Sequence, residues 1–204
     1  MAQPLGTHIG NALEVKDAID VLAGRTQGDL LEISLLLGSH MLVLAEKAKT
    51  LPEARAMLEN ALSSGAGLRK LAEMIAAQGG DPRVVEDLSL LPQAAVKRVM
   101  RAETAGYLSA MDTTALGMAA QRMGAGRAKK SDMLDYSVGY VLHVRLGDEV
   151  TEDTPLATLY ARNEAEAEEA EKAIRKALTI AKEKPSVPPL WDAVVTAEGI
   201  TYNR

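Results

Sequence analysis

The sequence predicts an α+β protein: a helical region over residues 1–92, then a smaller mixed α+β domain over residues 93–204. Two observations carry this. Through the first ninety positions apolar residues recur at three- and four-residue spacing, as in helices that bury one face. Near Pro92 the pattern changes to short stretches that alternate apolar and polar residues, as in half-buried strands. The boundary is expected at about residues 90–95.

The elements follow in order. Pro4-Leu5-Gly6 makes a tight loop, and Gly10-Asn11 opens a helix, with Asn11 as the expected N-cap and Glu14 closing a capping box. A loop that feeds a helix N-terminus usually follows a strand, so Met1–Asp17 reads as the middle of an α/β unit rather than its beginning. Val15, Ala18, Ile19 and Leu22 share one face, and Gly24 stops the helix. Asp29–Lys47 is so apolar that it reads as a helix buried on most sides. Thr50, Pro52 and Glu53 form a capping box with proline in the first turn of the next helix. Ala66–Ala77 is helical and ends at Gly79-Gly80, and Asp81-Pro82 starts a short turn or helix.

Beyond the boundary, Ala95–Thr104 and Gly106–Met111 read as strands, and Thr113–Met123 as a helix ending in Gly124-Ala125-Gly126. Gly139–Val144 is strand-like, Leu146–Val150 is a Gly-Asp turn and Pro155–Tyr160 is a short strand. Asn163 caps a charged helix expected to reach about Lys182, acidic first and basic later, as the helix dipole favours. Pro185–Pro189 breaks it, and Leu190–Thr196 reads as a closing strand.

Composition narrows the function. At 204 residues and 47% hydrophobic content the chain can bury a sizeable core. There is no Phe and one Trp, so Ala, aliphatic residues and nine Met must fill that core. A net charge of −5 argues against a general nucleic-acid binder. Without cysteine the chain has no disulfide, thiol nucleophile or Cys-ligated metal. No signal-peptide pattern or membrane-length apolar run is present, and a cytoplasmic location is expected.

Several motifs have structural readings. Gly124-Ala125-Gly126-Arg127, with Lys129-Lys130, looks like a phosphate cradle. It follows a helix instead of preceding one, so it reads as a C-cap and turn. His8, His40 and His143 do not pair at metal spacing, and His40 is expected to be a hydrogen-bonded core or interface residue. The acidic run Glu164–Glu171 reads as a solvated helix face.

Three stretches together resemble the thymidine and pyrimidine-nucleoside phosphorylase family. They are Gln3-Pro4-Leu5-Gly6 leading to Gly10–Val15; Leu37-Gly38-Ser39-His40-Met41; and Gly106–Thr113 with Leu116–Ala119, Gly124–Arg127 and Asp135–Gly139. The resemblance covers nearly the whole chain and corresponds to roughly the C-terminal half of the family. It implies that the helical region belongs to the large α/β domain of an α/β enzyme, followed by a hammerhead-like C-terminal domain. Family members convert a pyrimidine nucleoside and phosphate to the free base and a (deoxy)ribose 1-phosphate, and act as homodimers. Their phosphate-binding Lys-His-Ser-Thr-Gly-Gly stretch and their base-binding Arg, Ser and Lys match no residues here. No catalytic or organic-cofactor residue is therefore carried over, and this chain alone is expected to be inactive and to associate into oligomers through apolar surface on Val15–Leu22 and Leu31–Leu44. The resemblance also implies a potassium ion in the intact enzyme, held by the carbonyls of Leu5 and His8 and the carboxylate of Asp17, where the family usually has Glu.

Val144–Val150 and Pro155–Leu159 are also similar to the hammerhead of biotinyl and lipoyl carriers. Asp112 stands after Ala110-Met111, where a carrier needs lysine, so the carrier function is not expected. Two further readings stay open: a non-catalytic binding or assembly module, and one subunit of a split phosphorylase completed by a separate N-terminal half.

Overall fold

A computed structural model describes residues 2–203. Four helices dominate the first part: α1 (Asn11–Leu22), α2 (Asp29–Leu44), α3 (Leu51–Ser63) and α4 (Ala66–Ala77). Two 3₁₀ turns, Pro82–Val85 and Leu88–Leu90, lead to the strands. The cap at Thr50 forms as expected: its hydroxyl accepts from the Glu53 amide at 3.3 Å, while the Glu53 carboxylate accepts from the Lys49 amide at 2.9 Å.

The start of α1 differs from the expectation. Gly10, not Asn11, is the N-cap, and its amide donates to the Glu14 carboxylate at 3.3 Å. Asn11 lies inside the helix and its Nδ2 donates to the Ala125 carbonyl at 2.9 Å, a contact 114 residues away. The buried face also shifts. Ala12, Leu13, Asp17 and Ile19–Val21 are buried, whereas Val15 is exposed. The expectation for α2 is corrected further: Leu31, Leu35 and Ser39 are buried, but Leu37, Met41 and Leu44 are 56, 68 and 83% exposed. Only one side of α2 packs on α1, α3 and the adjoining leucines.

The second part is built on two antiparallel sheets. One has the order β1-β4-β6-β2, from β1 (His8–Ile9), β4 (Gly139–Leu142), β6 (Pro155–Ala161) and β2 (Val96–Arg101). The other has the order β5-β3-β7, from β5 (Glu149–Val150), β3 (Gly106–Met111) and β7 (Leu178–Ala181). Helices α5 (Thr113–Ala120) and α6 (Glu164–Lys176) pack with them, and both sheets feed one apolar cluster that includes Met100, Leu108, Leu116, Tyr140, Leu142, Leu159 and Ile174. Burial pushes the Tyr140 phenol above its ordinary pKa, and its OH donates to the Leu116 carbonyl at 2.8 Å. Asp112 caps α5 by accepting from the Ala115 amide at 2.9 Å, which gives this carboxylate a structural role at the position where a carrier would need lysine.

Two elements here depart from the sequence reading. The helix from Asn163 ends at Lys176, and Leu178–Ala181 is a strand paired with β3. That strand completes a sheet, and its β-branched Thr179 and Ile180 suit the pleat better than a last helical turn. Ala193–Thr196 (β8) pairs with Gly199–Tyr202 (β9), so the expected closing strand is one arm of a hairpin. Gly124 has φ 107° and ends the helical stretch after α5, in keeping with the C-cap reading.

The N-terminal segment crosses to the second part. β1 pairs with β4 at His8↔Val141 and Ile9↔Tyr140. The Leu142 amide donates to the Thr7 carbonyl at 2.8 Å, and the Ala12 amide donates to the Tyr136 carbonyl at 3.0 Å. Gly10 and Gly139 sit face to face at this crossing with φ 134° and 147°. Glycine is needed there because each backbone occupies the space a Cβ of the other would take.

Candidate functional site

The residues singled out in the sequence lie around the Pro4–Ile9 segment. Pro4 to Thr7 is irregular backbone, and pairing with β4 then fixes His8 and Ile9. α1 runs away from Gly10 and carries Asp17 back under the loop. The structure brings His8 and Asp17 together: His8 Nδ1 lies 3.4 Å from Asp17 Oδ1. Asp17 is 4% exposed, and its Oδ1 has no hydrogen-bond partner. A buried carboxylate oxygen without a donor is costly, and such sites call for a cation or a proton.

Gly6 lies directly on Asp17, where an added Cβ would sit 2.6 Å from Oδ2. His8 Nδ1 also lies 3.0 Å from the Thr7 hydroxyl. Burial lowers the His8 pKa, outweighing the opposing pull of the Asp17 charge. Leu5 is in the same loop, on the side facing Arg145, and its carbonyl accepts from Arg145 Nη2 at 3.3 Å. Leu5, Gly6, Thr7 and Asp17 line a cleft of about 340 Å³ together with Asp29, Leu30 and Arg145. Among the described residues no group of three or more His, Asp or Glu side chains is placed to hold a metal, so a cation here would depend on backbone oxygens.

Arg145 was not visible as a site residue in the sequence. Its partners lie 116 to 141 positions away, and no local pattern marks it. The other singled-out groups stand apart from this loop. His40, expected to be a hydrogen-bonded core or interface residue, has a buried Nε2 without a hydrogen-bond partner within this chain. His143 Nε2 lies 2.7 Å from the Thr158 hydroxyl on the neighbouring strand.

Comparisons with known proteins bear on the whole chain. Residues 107–181 match the model for the pyrimidine nucleoside phosphorylase C-terminal domain. The chain is 50% identical over 164 residues to the pyrimidine-nucleoside phosphorylase of Bacillus subtilis (strain 168), covering 80% of this chain and 38% of the relative. It is 49% identical over 164 residues to the enzyme of the same name from Geobacillus stearothermophilus, with the same coverage. It is 42% identical over 196 residues to that of Staphylococcus aureus (strain USA300), covering 96% of this chain and 45% of the relative. The chain thus spans less than half the length of these relatives. The α+β architecture, the matched C-terminal domain and this identity along the sequence make the chain similar to the C-terminal part of the pyrimidine-nucleoside phosphorylases.

Proposed function

We propose that this chain supplies the C-terminal portion of an enzyme that transfers the pentosyl group of a pyrimidine nucleoside to phosphate, releasing the free base and a (deoxy)ribose 1-phosphate. The observation that carries this reading is the 50% identity to the Bacillus subtilis phosphorylase across 80% of the chain. In this reading the phosphate- and base-binding groups belong to a portion matched by no residues here, and the chain alone has no phosphorolytic activity. Its own residues serve as scaffold: α1–α4 pack against the missing part, and the two-sheet domain buttresses the cleft. The exposed apolar side of α2, with Leu37, Met41 and Leu44, supports association with that N-terminal part or with a second copy. We place the activity in the cytoplasm and the intact enzyme in a homodimer, and set the division between the two parts at residues 92 and 93.

A potassium ion is the implied cofactor, and the residues present fit it. The buried, unpartnered Oδ1 of Asp17 supplies the negative charge a monovalent cation needs, and the carbonyls of Leu5 and His8 supply neutral oxygens. When bound, the ion contributes positive charge beside the phosphate. Asp17 is one methylene shorter than the usual Glu, and Gly6 lies directly against its carboxylate.

The test is phosphorolysis of thymidine and uridine by the purified chain, alone and after mixing with the N-terminal part of the Bacillus subtilis relative. The chain alone is expected to release no base, and the mixture to release thymine or uracil in a phosphate-dependent manner. Base release by the chain alone would overturn the assignment of the reactive groups to the other portion.

A further inference from the structure

We propose that Arg145 is a positioning residue for the Asp17 pocket, through which the C-terminal domain sets the geometry of the Pro4–Gly6 loop. The inference rests on the reading of Leu5, His8 and Asp17 as a cation site. The guanidinium reaches three successive carbonyls: Nη1 donates to Pro4 at 2.7 Å and to Gly6 at 3.4 Å, and Nη2 donates to Leu5 at 3.3 Å. Nη2 also donates to the Asp29 carboxylate at 2.6 Å. The neighbouring Leu146 amide donates to the Gln3 side chain at 2.9 Å, and Gln3 Nε2 donates to the same Asp29 oxygen at 3.3 Å. The Asp148 carboxylate accepts from the Arg145 amide at 2.7 Å and holds the arginine backbone in its turn.

The distances divide the work. The short bonds go to Pro4 and Asp29, which anchor the loop between the turn after β4 and the start of α2. The long bonds to Leu5 and Gly6 leave those carbonyls with unused acceptor capacity, since each has two lone pairs. Asp29 neutralises the guanidinium, so a permanent cation can sit beside a second cation site without repelling its occupant. The planar fork suits this arrangement, because its parallel donors fix both position and orientation. Once anchored, the loop holds Gly6 against the Asp17 carboxylate. Arg145 lies within the matched C-terminal domain, which thereby has a direct effect on a loop otherwise attached to α1.

The experiment uses the full chain labelled with ¹⁵N, mixed with the unlabelled N-terminal part of the Bacillus subtilis relative so that the intact site is assembled. Potassium is titrated at constant ionic strength against choline, and the amide shifts of Gly6, His8 and Asp17 are followed in the wild type, Arg145→Lys and Arg145→Ala. Hydrogen exchange of the Leu146 amide is read in the same samples. The wild type is expected to show saturable, potassium-specific shifts. Arg145→Ala is expected to weaken the apparent affinity about tenfold and to speed Leu146 exchange about tenfold, as for the loss of one charge-assisted hydrogen bond. Arg145→Lys should recover part of both, because one ammonium cannot hold Pro4 and Asp29 in the same geometry. If Arg145→Ala does not fold, Arg145→Gln keeps one donor and takes its place. Unchanged affinity in the alanine or glutamine variant overturns the inference and leaves the cation reading intact. Weakened affinity without faster Leu146 exchange also overturns it, since the residue would then act by charge alone. Absence of any potassium-specific shift in the wild type overturns the cation reading, and the inference falls with it.

Discussion

Gly139→Ala should break the crossing between the N-terminal segment and the second sheet. Gly139 has φ 147°, and an added Cβ would overlap the Ile9 carbonyl and lie 2.9 Å from Gly10 Cα. Those atoms are backbone, so no side-chain rotation relieves the clash. Holding alanine at this φ costs about 1–3 kcal/mol. Moving the strands apart also forfeits the β1–β4 pairing at His8↔Val141 and Ile9↔Tyr140 and strains the adjacent bond from Leu142 to Thr7. At roughly 1 kcal/mol net per backbone hydrogen bond, two lost bonds bring the total to about 3–5 kcal/mol. Urea unfolding followed by circular dichroism reads that loss as a lower midpoint. Hydrogen exchange should show the Leu142 amide losing protection before the amides of β6 do. A destabilisation under about 1 kcal/mol with Leu142 still protected would refute the argument that backbone contact at this pair of glycines governs the crossing.

Asp112→Ala removes the α5 cap and should cost about 1 kcal/mol, while Asp112→Asn should be close to neutral, both measured by thermal unfolding. Burial raises the pKa of Asp20, but hydrogen bonds from Lys16 and Arg25 win and hold it below its ordinary value. The folded form is therefore favoured above the unfolded-state pKa, and that stability is lost as pH falls through the lower folded-state value. Asp20→Asn should cost about 1 kcal/mol at pH 7, given the half-exposed partners, and should flatten the acid limb of a stability profile below the unfolded-state pKa. On α2, Leu37→Glu with Met41→Glu should shift the purified chain toward monomer in sedimentation velocity, because each exposed side chain contributes about 1.5–3 kcal/mol when fully covered. An unchanged distribution would place the association surface elsewhere.

The sequence by itself determined the order of the elements and most of their ends. Local chemistry decides those: Thr50 with Glu53, Asp112 before α5 and Asn163 before α6 each accept from the amide three residues on, whatever the rest of the chain does. The stretches that carry the family resemblance are likewise runs of adjacent residues, from Gln3 to Val15 and from Gly106 to Gly139. Tertiary structure decided what distant residues share. Leu178–Ala181 follows the helical pattern of α6 until Tyr107–Met111 offers it a sheet edge. Asn11 is a good cap by type, yet the Ala125 carbonyl takes its side chain and leaves the cap to Gly10. The unpaired Asp17 oxygen and the grip of Arg145 on Pro4 could not be read locally either. The Asn11 and Arg145 contacts join segments more than a hundred residues apart, and that meeting is set by packing of the whole core, not by any periodicity within one segment.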